Sequence, residues 1–161
     1  MGQVHDSAGR AERESTIRKC GAMAAIRIVI VDDHEIARRG IRSVLSGNPD
    51  FDVVAEVADG ESAIKTVQEL RPDVVLLDIS LPGISGIDAA KSIRTLAPES
   101  RIIFVSQHDS VLVARDALKA GAAGYVVKSD AGRDLPSAIV AASEKRTFVS
   151  RTLANRGFSL E

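Results

Sequence analysis

Short apolar runs alternate along this chain with longer stretches in which apolar residues recur at helical spacing. Three of the runs, at residues 26–31, 74–77 and 102–105, are almost wholly aliphatic or aromatic. Such runs are typical of strands that are covered on both faces of a parallel sheet. A fourth run, at residues 51–57, includes acidic residues and predicts a strand nearer the sheet edge, and a fifth, shorter run covers residues 124–127.

The stretches between these runs predict helices. Leu135, Ala138, Ile139 and Ala142, for example, follow one another at the spacing of one helix face. Proline or glycine follows most of these stretches, as expected where helices end. Each connection is about 10–20 residues long, which is enough for the crossover that parallel pairing requires. The order therefore predicts five β-α units: an α/β fold with a doubly wound, five-stranded parallel sheet.

Composition restricts the function only moderately. The chain has 161 residues with 21 basic and 22 acidic side chains, so its formal net charge is -1, which does not favour nucleic-acid or membrane binding by this chain alone. Its single cysteine excludes an internal disulfide and fits a reducing compartment. No apolar run reaches the roughly 18 residues of a membrane span, and no secretory signal is recognisable near the N-terminus. We therefore expect a cytoplasmic protein.

The chain is expected to divide into three parts. Residues 1–24 are mostly polar and predict an N-terminal extension, which is disordered or a non-native addition before Met23. Residues 25–147 contain all five predicted β-α units. Residues 148–161 are expected to be a C-terminal tail or the beginning of a linker.

Polar side chains follow four of the predicted strands at their carboxyl ends, where ligands bind in such folds. They are Asp32 and Asp33 after the first strand, Asp78 after the third, Ser106 after the fourth and Lys128 after the fifth. Three carboxylates in one cleft repel one another unless a cation neutralises them. Mg²⁺ prefers such oxygen ligands and needs few of them. We expect Mg²⁺ here, with the backbone carbonyl of Ser80 as a further ligand.

The same residues suggest phosphoryl chemistry, although each also has an ordinary explanation. Asp78 could act as a nucleophile and form an acyl phosphate, and Lys128 could offset charge on the transferred group. Taken singly, Lys128 is interpreted as a solvated lysine, Ser106 as a loop serine and Tyr125 as a packing residue. His34 is interpreted as a first-turn helix residue because imidazole is a poor ligand for Mg²⁺.

Together, these residues resemble the receiver domain of bacterial response regulators, over about residues 25 to 150. Asp32, Asp33, Asp78, Ser106 and Lys128 carry the resemblance, and Tyr125 lies at the family's aromatic switch position. Asp32-Asp33-His34-Glu35, Ala120-Gly121-Ala122 and Gly124-Tyr125 resemble the NarL/FixJ subgroup, whose receivers are coupled to a LuxR-type helix-turn-helix. The resemblance implies a CheY-like, flavodoxin-like sheet with strand order 2-1-3-4-5.

The resemblance also implies a role in two-component signal transduction. Asp78 would accept a phosphoryl group from a sensor histidine kinase, with Mg²⁺ held by Asp33, Asp78 and the Ser80 carbonyl and with Asp32 assisting through water. Ser106 and Tyr125 would then switch the surface formed by the fourth helix, fifth strand and fifth helix.

Further implications concern activity and partners. The chain would be a phosphoacceptor rather than an enzyme, with only self-phosphorylation and autodephosphorylation chemistry. It would form a homodimer on phosphorylation and would reach DNA only through an output domain that these 161 residues lack.

Three alternatives stay open. The first is a stand-alone receiver in a phosphorelay. The second is a Mg²⁺-dependent small-molecule phosphatase, which would need a second acid and a cap that excludes water, and no segment here is long enough for a cap. The third is a flavin-binding module, which the acidic pair Asp32 and Asp33 disfavours because it would repel a phosphate.

Overall fold

The computed structural model describes residues 24–159, and the predicted extension lies outside them except for Ala24. Its strands form one fully parallel sheet with the order β2-β1-β3-β4-β5-β6. The strands are β1 (Ile26–Val31), β2 (Phe51–Val57), β3 (Val74–Leu77), β4 (Arg101–Ser106), β5 (Gly124–Val127) and β6 (Phe148–Val149). The predicted α/β class and the order 2-1-3-4-5 are confirmed, and the sheet continues into a sixth strand.

Helices follow the strands, and several begin at a polar cap. They are α1 (Glu35–Ser46), α2 (Gly60–Leu70), α3 (Gly86–Leu96), α4 (Val111–Lys119), α5 (Ala131–Ser143) and α6 (Arg151–Asn155), with a 3-10 turn at Lys128–Asp130. Asp59 caps α2 by accepting the Ser62 N–H, and Ser110 caps α4 in the same way. None of the helices within residues 24–159 has the length and hydrophobicity needed to cross a bilayer.

The sheet separates two apolar layers, which explains why the central strands are apolar throughout. Val29 and Val31 of β1 belong to the layer that contains α2, α3 and α4, whereas Ile28 and Ile30 belong to the layer of α1 and α5. All four side chains are at most 1% exposed. Successive strand residues point to opposite faces, so a strand covered on both sides carries no polar alternation.

The sixth strand is the main departure from the predicted five-stranded sheet. β6 pairs with β5 through Gly124↔Phe148 and Tyr125↔Val149, and the following helix α6 buries Leu153 completely. A strand of two residues is too short to show a period of two, so the sequence pattern could not predict it. The described part of the predicted C-terminal tail is therefore packed against the sheet.

Candidate functional site

The acidic residues lie at the carboxyl ends of the neighbouring strands β1 and β3. The Asp32 N–H donates to the Val57 carbonyl at 3.1 Å and the Asp78 N–H donates to the Val31 carbonyl at 3.0 Å. Backbone pairing thus continues one residue beyond β1 and β3 and places both residues side by side. Asp32 is 1% exposed and Asp78 is 4% exposed, whereas Asp33 is more open to solvent.

Lys128 bridges the two buried carboxylates. Its Nζ lies 2.6 Å from Asp32 Oδ2 and donates a hydrogen bond to Asp78 Oδ2 at 3.1 Å. Lys128 opens the 3-10 turn directly after β5, and its long side chain reaches across the end of β4 toward β3. The structure therefore brings together Asp32, Asp78 and Lys128, which the sequence places far apart.

Burial and charge act against each other in this group. Burial raises the pKa of Asp78, the Lys128 ammonium opposes that effect, and the neighbouring Asp32 adds to it. For Lys128, burial acts to lower the pKa, but the hydrogen bonds and charges of Asp32 and Asp78 outweigh it, so its pKa is raised. One ammonium thus pairs with two buried carboxylates, and the Asp33 carboxylate lies close to both of them, so the site has more carboxylates than ammonium groups.

The donor set fits a hard divalent cation. Asp32, Asp33, His34 and Asp78 each offer a ligand atom, and these atoms lie within 4.8 Å of one another. Asp32 Oδ2 is buried and has the Lys128 ammonium as its ion-pair partner. Carboxylate oxygens are ligands that suit Mg²⁺. Ser80 lies two residues beyond Asp78 on an exposed loop, and its carbonyl remains a predicted ligand.

His34 differs slightly from its predicted position. It is the N-cap residue of α1 and so lies just before the first turn. Its backbone N–H donates to Asp32 Oδ1 at 2.9 Å, and its exposed ring places Nδ1 3.3 Å from Asp32 Oδ1 and 3.1 Å from Asp33 Oδ1. Asp32 therefore orders the start of α1 with one oxygen and faces Lys128 with the other.

Ser106 and Tyr125, the predicted switch residues, hold the same loop residue from two sides. Ser106 Oγ accepts the His108 N–H at 3.1 Å, and the Tyr125 hydroxyl donates to the His108 carbonyl at 2.8 Å. Both Ser106 and Tyr125 are fully buried. Burial raises the pKa of Tyr125 to about 12, while a hydrogen bond with Ser106 acts in the opposite direction.

Sequence reasoning did not foresee the central place of His108. Its ring Nε2 lies 3.2 Å from Ser80 Oγ, so the β3–α3 loop and the β4–α4 loop touch through these two side chains. No pattern marks a histidine in a loop as a connector. Its place two residues after Ser106 was the only available signal.

Gly86 allows α3 to begin directly against the backbone of Asp78. A Cβ at this position would lie 1.9 Å from the Asp78 carbonyl oxygen, which no side chain tolerates. The Gly86 N–H donates to the Ile79 carbonyl at 2.7 Å and so closes the loop. The glycine is therefore a requirement of the loop that follows Asp78.

Comparison with known proteins agrees with this geometry. Residues 28–140 match the response regulator receiver domain family. The transcriptional regulatory protein DegU of Brevibacillus brevis is 39% identical over 103 residues, which are 64% of this chain and 44% of DegU. This chain spans between 44% and 60% of the length of the first curated relatives it matches.

Two solved structures extend the comparison to three dimensions. A LuxR-family two-component response regulator from Aurantimonas sp. SI85-9A1 is 39% identical with a TM-score of 0.78, over 82% of this chain and 94% of that one. The isolated REC domain of RcsB from Salmonella enterica serovar Typhimurium, solved with the phosphomimetic BeF3-, is 28% identical with a TM-score of 0.76. That match covers 81% of this chain and 97% of the RcsB chain.

Proposed function

Because this chain belongs to the response regulator receiver domain family, with relatives of the NarL/LuxR type, we propose that Asp78 is the phosphoacceptor of a two-component system. The observation that supports this role most strongly is the Lys128 ammonium 3.1 Å from Asp78 Oδ2. A buried carboxylate next to a fixed ammonium can attack a phosphorus atom, and the ammonium then faces the charge that arrives.

In this proposal an Asp78 oxygen forms a bond to phosphorus as the bond from phosphorus to the kinase histidine breaks. Asp78 reacts as the carboxylate, and Lys128 favours that form by opposing the effect of burial on its pKa. Asp33, Asp78 and the Ser80 carbonyl would hold Mg²⁺, with Asp32 acting through water. When bound, the cation would neutralise charge on the phosphoryl oxygens.

The acyl phosphate would then rearrange the pair of switch residues. We expect Lys128 and the Ser106 hydroxyl to turn toward the phosphoryl group, which costs Ser106 its hydrogen bond from the His108 N–H. The loop would shift, and Tyr125 would lose its acceptor on the His108 carbonyl. Phosphorylation would thus favour one of two existing states of the α4–β5–α5 surface.

Partners and domain limits are part of the same proposal. We assign residues 25–147 to the receiver domain and residues 148–161 to a C-terminal tail or the start of a linker. A sensor histidine kinase would donate the phosphoryl group, the phosphorylated chain would form a homodimer, and DNA would be bound through an output domain. The similarity to DegU, a transcriptional regulatory protein, supports that last step. A cytoplasmic location and the absence of other enzymatic activity complete the proposal.

Labelling with a small phosphodonor tests the nucleophile directly. Incubated with Mg²⁺ and phosphoramidate, the protein should gain one phosphoryl group by intact mass spectrometry, and Asp78→Asn should gain none. Asp88→Asn is the matched control, because Asp88 is an exposed carboxylate in the first turn of α3. Equal labelling of Asp78→Asn and the parent would refute the assignment.

A further inference from the structure

Ser150 is a fully buried residue beyond the predicted receiver boundary, and it binds β5, the strand that carries Tyr125 and ends directly before Lys128. Its backbone N–H donates to the Tyr125 carbonyl at 3.0 Å. Its Oγ accepts the Val127 N–H at 2.9 Å. Val127 immediately precedes Lys128, so a single serine fixes two of the three peptide groups between the switch tyrosine and the lysine of the site.

The Ser150 hydroxyl accepts a hydrogen bond from β5 at a position that the short strand β6 does not reach. β6 pairs with β5 only as far as Tyr125↔Val149, and the next buried N–H of β5 on that edge belongs to Val127. A buried N–H without an acceptor is costly. Ser150 Oγ supplies that acceptor. A side chain from outside the five predicted β-α units therefore holds the last peptide of β5 before the site.

The segment around Ser150 also contacts the two loops that flank the site. We call residues 148–158 the C-terminal segment. Thr152 Oγ1 donates to Asp130 Oδ2 at 2.6 Å, in the turn that Lys128 opens. Arg156 forms a 3.0 Å ion pair with Asp109, which is the neighbour of His108. The segment thus joins the loop of Lys128 to the loop of Ser106 and His108.

These contacts differ in how much they contribute to stability. The Arg156–Asp109 pair is about half exposed on both sides, and such pairs contribute little. The Ser150 hydrogen bonds are fully buried, and Leu153 anchors α6 with no exposure. Ser150 is therefore the residue through which a displacement of Lys128 or Tyr125 would reach the C-terminal segment.

From this geometry we infer that Ser150 is a positioning residue for Lys128 and Tyr125, and that the C-terminal segment registers the phosphorylation state of Asp78. The inference rests on the proposed phosphoacceptor function. Coupling between two sites is reciprocal. If occupancy of the site alters the docking of the C-terminal segment by some factor, then a substitution at Ser150 that weakens that docking must alter the affinity of the site for its ligand by up to that factor.

Hydrogen exchange on the unaltered chain is the first test. With Mg²⁺ and beryllium fluoride as the phosphomimetic, peptides that cover residues 148–158 should change their exchange rate several-fold. Binding itself is followed separately by the fluorescence of Tyr125, which is the only tyrosine in a chain without tryptophan. Binding without any change of exchange in these peptides would overturn the inference and leave the phosphoacceptor function standing. Absence of binding would contradict both.

The second test measures the reverse direction of the coupling. Ser150→Ala should change the affinity for beryllium fluoride by about five-fold or more, and Ser150→Thr, which keeps the hydroxyl, should restore it. Ser143→Ala is the control, since Ser143 is exposed on α5 and its hydroxyl bonds only within its own helix. A folded Ser150→Ala with the parent's affinity would overturn the inference. If Ser150→Ala does not fold, the exchange experiment on the unaltered chain decides.

Discussion

At the scale of single residues, the buried Asp78 carboxylate lowers the stability of the fold when it is ionised. Burial raises its pKa above the ordinary value of 3.8. A carboxyl group with a raised pKa in the folded state contributes stability that is fully present below the unfolded pKa, and this contribution is lost as the pH rises through the folded pKa. At neutral pH the ionised Asp78 therefore makes folding less favourable.

We expect Asp78→Asn to unfold at a higher temperature than the parent in the absence of metal. The amide can still accept the Lys128 hydrogen bond and carries no buried charge. A gain of about 1 kcal/mol would raise the melting temperature by about 2–4 °C in a domain of this size. Thermal unfolding by circular dichroism at pH 8 and pH 4 measures this, and the advantage should shrink at pH 4. A lower melting temperature at both pH values would contradict the electrostatic account.

Tyr125 allows a direct titration at the residue scale. Its pKa of about 12 lies above the ordinary value of 10.0, so the stability that the neutral hydroxyl contributes is present below pH 10 and is lost as the pH rises through about 12. Tyrosinate absorbance, unambiguous with one tyrosine, should show ionisation near pH 12 in the folded protein and near 10 in urea. Ionisation near 10 in both states would contradict the buried position.

Tyr125→Phe separates the hydroxyl from the ring. It should lose about 1 kcal/mol at pH 8, because the hydrogen bond to the His108 carbonyl is gone. Its free energy of unfolding should decrease less than the parent's between pH 8 and pH 11. Deprotonation of Lys128, whose pKa is also raised, accounts for part of the decrease that remains. Urea denaturation at both pH values makes the comparison. An equal decline in both proteins would exclude Tyr125 as its source.

At the scale of elements, the buried strands could be predicted from the sequence. Short strands and helix caps could be predicted only in part. β1, β3 and β4 appear as apolar runs because both of their faces are covered. Ser110 is the N-cap residue of α4, and serine is among the residue types preferred at that position. β6 was missed because its two residues carry no period, and its stability comes from pairing with β5 and not from its own sequence.

Gly86 gives the sharpest prediction for an element boundary. Gly86→Ala should lower the stability by about 2–4 kcal/mol and reduce phosphorylation, because the new methyl group would overlap the Asp78 carbonyl. Gly40→Ala is the matched control. Gly40 lies in α1 with nothing near its would-be Cβ, so alanine should stabilise there by about 0.5–1 kcal/mol. Denaturant unfolding and phosphoryl incorporation measure both, and equal behaviour of the two variants would refute the steric argument.

At the scale of the whole molecule, the location of the site was predictable and its internal contacts were not. Parallel strands bring their carboxyl ends to one edge, which is why Asp32, Asp78 and Lys128 could be expected together. The two hydrogen bonds that Ser106 and Tyr125 make with the His108 backbone depend on how two loops fold against each other. No spacing in the sequence encodes such a closure, because it arises from the packing of distant elements.

The C-terminal segment should count toward the stability of the whole fold. Leu153→Ala should cost about 2–5 kcal/mol, the usual loss for a fully buried leucine. Leu112→Ala is the control, since Leu112 is 70% exposed, and its effect should stay within about 0.5 kcal/mol. Equilibrium denaturation compares them. A neutral Leu153→Ala would mean that the segment is not docked in solution.

The two edges of the sheet also restrict how this chain can meet another copy of itself. β6 has only two residues and is followed at once by α6, so its backbone is too short to pair with an added strand. At the opposite edge, β2 carries the exposed Asp52, and Glu56 is paired with Arg38 and Arg42. Charged side chains on an edge strand oppose edge-to-edge pairing. Within residues 24–159, both edges of the sheet therefore disfavour pairing with a strand of another copy, and the helices offer the larger surfaces for such contact.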